Sequence, residues 1–313
     1  MPQVAALGLP PQAIWAAVFA FGCVLGSFLN VVIHRLPRME GYWSLEFPRV
    51  SLPVINRHTL CVGDHSVVLP LPIRSTYNLA LPPSACPACG KPIAWYDNIP
   101  VLSWILLGGR CRQCRHPISV RYPVVELAMG ILVWGLYLHF GPSIRTLGLV
   151  VLVGALMVCF WIDVDFMIIP DSVTLPILWA GLIFNAVFFR AAPAVVGAAG
   201  GYLLFRAIEG MSLLVLKREG MGRGDAKLAA MLGAWVGPAI LAAGLFVGFV
   251  VGSLVGVGVE FARHRWNLRA ALGAIARRET RPFPLGPSLV IGGLASIFGG
   301  DRMFAWYLGF LRG

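Results

Sequence analysis

Of the 313 residues, 58% are hydrophobic and only 12% are charged, and the mean hydropathy is +0.78. This balance excludes a soluble domain, and it describes an integral membrane protein. The formal net charge of +11 marks, in a polytopic chain, cytoplasmic loops beside anionic lipid, so membrane lipid is an expected partner and nucleic acid is not.

The first apolar run covers about residues 13–33. Residues 1–10 hold no Lys or Arg, so the run lacks the basic start of a cleavable signal and reads as a retained helix. Towards its end Gly26 and Ser27 permit close helix contact, and Asn30 needs an internal partner; plain packing is an equal reading of all three.

Residues 34–122 form the one long polar stretch, with ten basic residues against four acidic ones. Within it, Cys86-Pro-Ala-Cys89 and Cys111-Arg-Gln-Cys114 stand twenty-one residues apart. A two-residue gap lets both thiolates of a pair reach one ion, two pairs complete a tetrahedron, and four thiolates select zinc. The pattern predicts a structural zinc ribbon on Cys86, Cys89, Cys111 and Cys114, with a redox pair of CxxC motifs as the alternative. Cys23, Cys61 and Cys159 bring the total to seven, and an odd number argues against a purely disulfide framework.

Further apolar runs lie at about 124–140, 145–162, 173–189, 192–215, 226–237, 239–259 and 285–299. With the first they predict about eight transmembrane helices: an all-α polytopic membrane protein with a cytoplasmic zinc-ribbon-like loop domain. The expected organisation is a first helix at 1–33, the loop domain at 34–122 and a transmembrane core at 123–313. The runs at 226–237 and 285–299 are short for a bilayer core that asks for about twenty residues. The first can start at Asp225 or tilt, and Phe304–Leu311 can extend the second.

Placing 34–122 in the cytoplasm puts 216–225 and 260–284 there as well, with Lys217, Arg218 and Arg223, then Arg263, Arg265, Arg269, Arg277, Arg278 and Arg281. The other side receives only Arg145, Arg190, Arg302 and Arg312, which satisfies the positive-inside rule. Gly244, Gly248, Gly252 and Gly256 recur every four residues, a packing seam or, less simply, a gate. Arg206 and Glu209, three apart, can pair on one helical face or meet a substrate.

Two stretches carry the chemistry: Trp161-Ile-Asp163-Val-Asp165-Phe-Met-Ile-Ile-Pro170-Asp171 and Gly222-Arg-Gly224-Asp225-Ala-Lys227. Each sets a carboxylate at the edge of an apolar run, where an acid is costly and signals function. The topology puts Asp163 and Asp225 at helix ends on the same side. Two such acids can share one proton, one serving as base and the other as acid in activating water. The plainer reading makes Asp165 and Asp171 solvated acids and gives Asp171 and Asp225 helix-capping roles, a role Asp225 can combine with chemistry. Gly222 and Gly224 let the backbone turn sharply near a substrate.

Asp163 followed by Ile169-Pro170-Asp171, and then Gly222-Arg-Gly224-Asp225-Ala-Lys-Leu, resembles the bacterial prepilin leader peptidases, the type IV prepilin peptidase family of GxGD intramembrane aspartic proteases. The resemblance extends to Gly26-Ser27-Phe28-Leu29-Asn30 through Pro37, to Cys89-Gly-Lys-Pro-Ile through Trp104, and to Pro117-Ile-Ser-Val-Arg121-Tyr-Pro-Val-Val-Glu126. Phe283-Pro-Leu-Gly286-Pro287 is similar to the Phe-Gly-Pro turn opening the family's last helix, in altered order. Residues 38–85 match nothing in it and read as an added subdomain or insert.

The resemblance implies a bifunctional enzyme of the bacterial inner membrane, multi-pass, with its active site facing the cytoplasm. Such an enzyme cleaves the basic leader of type IV prepilins and pseudopilins after a glycine and N-methylates the new terminus with S-adenosylmethionine. Asp163 and Asp225 take the catalytic positions, since the family's first catalytic Asp stands seven residues before the proline, here Pro170. No residues are assigned to hold the methyl donor, and the oligomeric state is not indicated. Three rivals stand beside this reading. They are a peptidase without methyl transfer, a proton-coupled transporter with a zinc-binding loop, and a scaffold in which both acids are dispensable.

Overall fold

The computed structural model describes residues 10–42, 60–62, 65–67, 78–217, 222–264 and 283–312. Its helices are α1 (Pro11–Met39), α2 (Leu102–Leu106), α3 (Arg121–Phe140), α4 (Ile144–Phe166), α5 (Asp171–Phe188), α6 (Ala191–Leu216), α7 (Arg223–Arg263) and α8 (Gly286–Arg312). A small antiparallel hairpin, β1 (Leu60–Val62) and β2 (His65–Val67), pairs Cys61 with Ser66. Most of the stretch 38–85, and much of the loops 216–225 and 260–284, lie outside the described residues. The chain forms two compact units, residues 1–141 and 142–313.

In the first unit α1 and α3 meet through small residues. A methyl added to Gly26 would stand 2.7 Å from Glu126 Cα, one on Gly22 2.8 Å from Gly130 Cα, and one on Gly130 2.6 Å from Cys23 Sγ. Asn30, buried one turn beyond Gly26, donates to Tyr122 O at 3.1 Å. The expected close contact and internal partner are both present. At the end of α1 the buried Arg35 donates to the carbonyls of Asn78, Leu79 and Pro82 at 2.9, 3.2 and 2.6 Å. These bonds pin the chain entering the cysteine region against a helix C-terminus, where a cation is favoured.

The second unit is built around α7, which is not one straight rod. Gly237, at φ 76° and ψ 174°, breaks the helix before Pro238. A methyl on Gly201 of α6 would touch both the Ala229 backbone and the Leu241 side chain. Those residues would be about 18 Å apart along a continuous helix. The chain therefore reverses at Gly237, and α7 makes two antiparallel arms. Gly197 against Gly233 and Phe205 stacked on Phe249 continue the two arms along α6.

Among the described residues six helices are long and apolar enough to cross a membrane, α7 counting once, and α8 adds a shorter apolar stretch, Gly286–Gly300. Counting the two arms of α7 separately, the eight apolar runs are all helical. The short run at 226–237 is the first arm of α7, starting at Arg223. Ala226, Leu228, Ala229, Ala230, Met231, Leu232 and Ala234 are all buried there. Protein rather than lipid surrounds this arm, so a length below the bilayer thickness is tolerated. The second short run continues helically to Arg312 in α8, as Phe304–Leu311 suggested.

The glycines at 244, 248, 252 and 256 form a packing seam. Their faces meet Ser296 and Gly292, Ser288 and Leu289, Leu285 and Ser288, and the Phe283 ring, all on α8 or the turn opening it. This contact carries the start of α8 to the end of the unit where α4 stops and α7 begins.

Candidate active site and metal centre

α4 ends at Met167, whose left-handed backbone (φ 54°) returns its N–H to Asp163 O at 2.8 Å. That stop leaves Asp163 in the last turn, only 4% exposed. Its Oδ2 accepts the backbone N–H of Gly286, the first residue of α8, at 3.0 Å. Asp225 is the third residue of α7 and 8% exposed, and its Oδ2 accepts the N–H of Gly222 at 3.2 Å. The capping expected of Asp225 is therefore made from inside the helix, as the acidic half of a capping box.

Ile169 packs against the glycine beside each acid, Gly224 and Gly286. A methyl on Gly224 would stand 3.0 Å from Ile169 Cβ, and one on Gly286 3.3 Å from Ile169 Cδ1. Asp163 lies in the field of the Asp225 carboxylate. The structure thus gathers Asp163, Asp225, Gly222 and Gly224, with Ile169 ahead of Pro170, at one end of the second unit.

Asp171 is a correction. Pro170 holds the N-cap position of α5 and no side chain caps the helix. Asp171 instead takes Lys227 Nζ at 2.6 Å on each oxygen and is 54% exposed on its side chain. A Pro at the cap leaves the following residue already helical, so its carboxylate points outward to a cation. Lys227 also neutralises an acid that, counted along the local sequence alone, had no cation nearby. Asp165 is half-buried in the last turn of α4. Arg206 and Glu209 form the expected ion pair on α6. The buried Glu209 also lies 3.9 Å from Arg223 Nε, within the Gly-Arg-Gly-Asp turn.

In the first unit the sulfurs of Cys86, Cys89, Cys111 and Cys114 all lie within 4.8 Å of one another, with Cys86 and Cys114 3.7 Å apart. Two matching turns present them. Cys86 N–H bonds Lys91 O at 2.9 Å and Gly90 N–H bonds Cys86 O at 2.9 Å; Cys111 N–H bonds His116 O at 2.8 Å and Arg115 N–H bonds Cys111 O at 3.0 Å. Gly90 and Arg115 share the left-handed backbone, φ 69° and 60°. Sulfurs 2.3 Å from a tetrahedral zinc stand about 3.8 Å apart, so the four fit that ion. All four are free thiols. The Arg112 guanidinium, forked on Asp97 at 2.6–3.0 Å, joins the second knuckle to the short turn Trp95–Asn98 and holds the Asp97 carboxyl below its ordinary range. Protein purified under reducing conditions should carry about one zinc per chain by elemental analysis, lost when any two of the four become Ser. Metal-free protein would remove the assignment.

Residues 20–140 match the Bacterial Peptidase A24 N-terminal domain, and residues 150–257 match the Type IV leader peptidase family. A "Prepilin leader peptidase/N-methyltransferase" of Aeromonas hydrophila is 39% identical over 95% of both chains. Proteins of the same name from Pseudomonas aeruginosa and Burkholderia pseudomallei are 38% identical over 99% of both chains, and 41% identical over 97% of this chain and 91% of the other. The chain belongs to the type IV leader peptidase family. It is thus a membrane-embedded peptidase. No solved structure matches it.

The N-terminal domain match encloses residues 38–85, most of which lie outside the described residues. The sequence passed over Gly286, Ile169 and Lys227 as site residues. The Gly286-Pro287 turn was the available signal for the first, and the other two stood inside the Asp163 and Asp225 stretches with no role of their own.

Proposed function

We propose that this family member removes the basic leader of type IV prepilins or pseudopilins at the cytoplasmic face of the bacterial inner membrane, with Asp163 and Asp225 as the catalytic pair. The observation that carries the reading is two buried carboxylates at one end of the bundle, each held by a backbone N–H, with Ile169 packed against both Gly224 and Gly286 beside them. A water between them would lose its proton to one carboxylate as it attacks the scissile carbonyl, and the other, as the acid, would protonate the leaving amine. The N–H donors from Gly286 and Gly222 orient the acids. Gly224, with no side chain, lets the turn before Asp225 pack closely on Ile169. Asp171, engaged by Lys227, stands outside this chemistry.

The relatives' shared name extends the reading to N-methylation of the new terminus. S-adenosylmethionine would supply the methyl group, and the chain's residues for it are unassigned. Zinc on the four cysteines would be structural. Incubating purified protein with a prepilin and the methyl donor should give leader loss and then a 14-Da gain at the new terminus. An intact prepilin would overturn the reading, and cleavage without the gain would leave a peptidase alone. The orientation has its own check. A reporter fused near residue 100 should be cytoplasmic and one near residue 142 should not; the reverse would move both aspartates to the other face.

A further inference from the structure

Just before α3 the first unit carries a helix built inside out. In α2 the buried residue is Ser103, 6% exposed, while Ile105 and Leu106 are 61% and 75% exposed and Leu102 is exposed beside them. Ser103 Oγ donates to Tyr96 O at 2.9 Å and accepts the Ile99 N–H at 3.2 Å, closing the polar side inward. Trp95, 82% exposed, and the exposed Tyr96 and Ile99 extend the apolar surface. Water is a poor neighbour for such a surface, and a patch of this kind marks a place where something else lies.

Two ties set its height. Val101 N–H donates to the buried Glu126 at 2.7 Å, and Trp104 Nε1–H donates to Ile118 O at 3.2 Å. Glu126 is five residues inside α3, about 7 Å along its axis. α3 is long and apolar enough to cross a membrane, and its Val124, Leu127 and Ile131 are exposed. α2 is therefore fixed where α3 enters the bilayer. Lys91, Arg110 and Arg115, all exposed, stand on the two cysteine knuckles that flank it. Aromatic and aliphatic side chains with basic residues on the flanking knuckles are the composition of a membrane interface, and such cations complement anionic headgroups.

We propose that residues 95–107 are an interfacial anchor that seats the cysteine knuckles on an anionic lipid bilayer, with Leu102, Ile105 and Leu106 at the acyl boundary. The test uses the full chain in phosphatidylcholine–phosphatidylglycerol vesicles, with an environment-sensitive fluorescent amino acid at position 106 or, separately, 105. Position 113 on the second knuckle serves as the aqueous control. Emission from 105 and 106 should be blue-shifted and quenched at least twofold by lipids brominated near the headgroup, and emission from 113 should be neither. Quenching should weaken in vesicles of phosphatidylcholine alone, and equal quenching would remove the anionic lipid from the proposal. Water-like, unquenched emission from 105 and 106 would overturn it. So would shielded emission that brominated lipid leaves unquenched, which would mean that protein covers the helix.

Discussion

Asp163→Asn and Asp225→Asn, each folded and membrane-inserted, should cleave a prepilin on the order of 10⁴-fold more slowly than the parent. Each change keeps the size of the side chain and its hydrogen bond with a backbone N–H, so the bundle should stand. What is lost is the titratable oxygen, and in a pair acting as one unit the loss of either member removes most of the catalysis. Asp171→Asn should keep measurable cleavage, because its partner is Lys227 in an exposed ion pair of the kind worth about 0–1 kcal/mol. Asp165→Asn should keep it as well, standing two residues past Asp163 on another face of α4. Methylation of an already cleaved pilin should survive all four changes if its site is separate. A time course of leader loss, with each variant at equal membrane level, reads the result. Near-parent cleavage by Asp163→Asn would end the assignment.

Gly286→Ala should lower cleavage about 100-fold while α8 remains packed. The added methyl would stand 2.5 Å from Asp163 Oδ2 and 3.0 Å from its Cγ, closer than real contacts come. Either the carboxylate or the start of α8 must shift, and a misplacement of about 1 Å costs roughly two orders of magnitude. The loss should fall on kcat more than on KM, since Gly286 touches an acid and not the apolar body of a substrate. Gly258→Ala is the matched control, because a methyl there meets nothing within 4 Å. Equal rates for the two variants would show that the close approach of Gly286 does not set the position of Asp163.

The sequence by itself determined what each segment must satisfy locally. Lipid demands long apolar runs, so all eight were legible, as was a four-thiol cluster able to hold a metal ion from the spacing of four cysteines. The four-residue glycine period announced a seam, and a single amide in an apolar run announced that Asn30 needed a partner. Asp163 and Asp225 stood out because acids at the ends of such runs are costly. Only the tertiary structure decided who meets whom. Gly286 reaches Asp163 across 123 residues and Lys227 reaches Asp171 across 56. The reversal at Gly237 turned two apolar runs into arms of one hairpin, and Arg223 found Glu209 on a different helix. Local periodicity records the face a helix turns to its surroundings. The partner on that face is chosen by packing between helices, through close approaches such as Gly197 on Gly233 and Gly292 on Gly244, and no spacing within either helix encodes it.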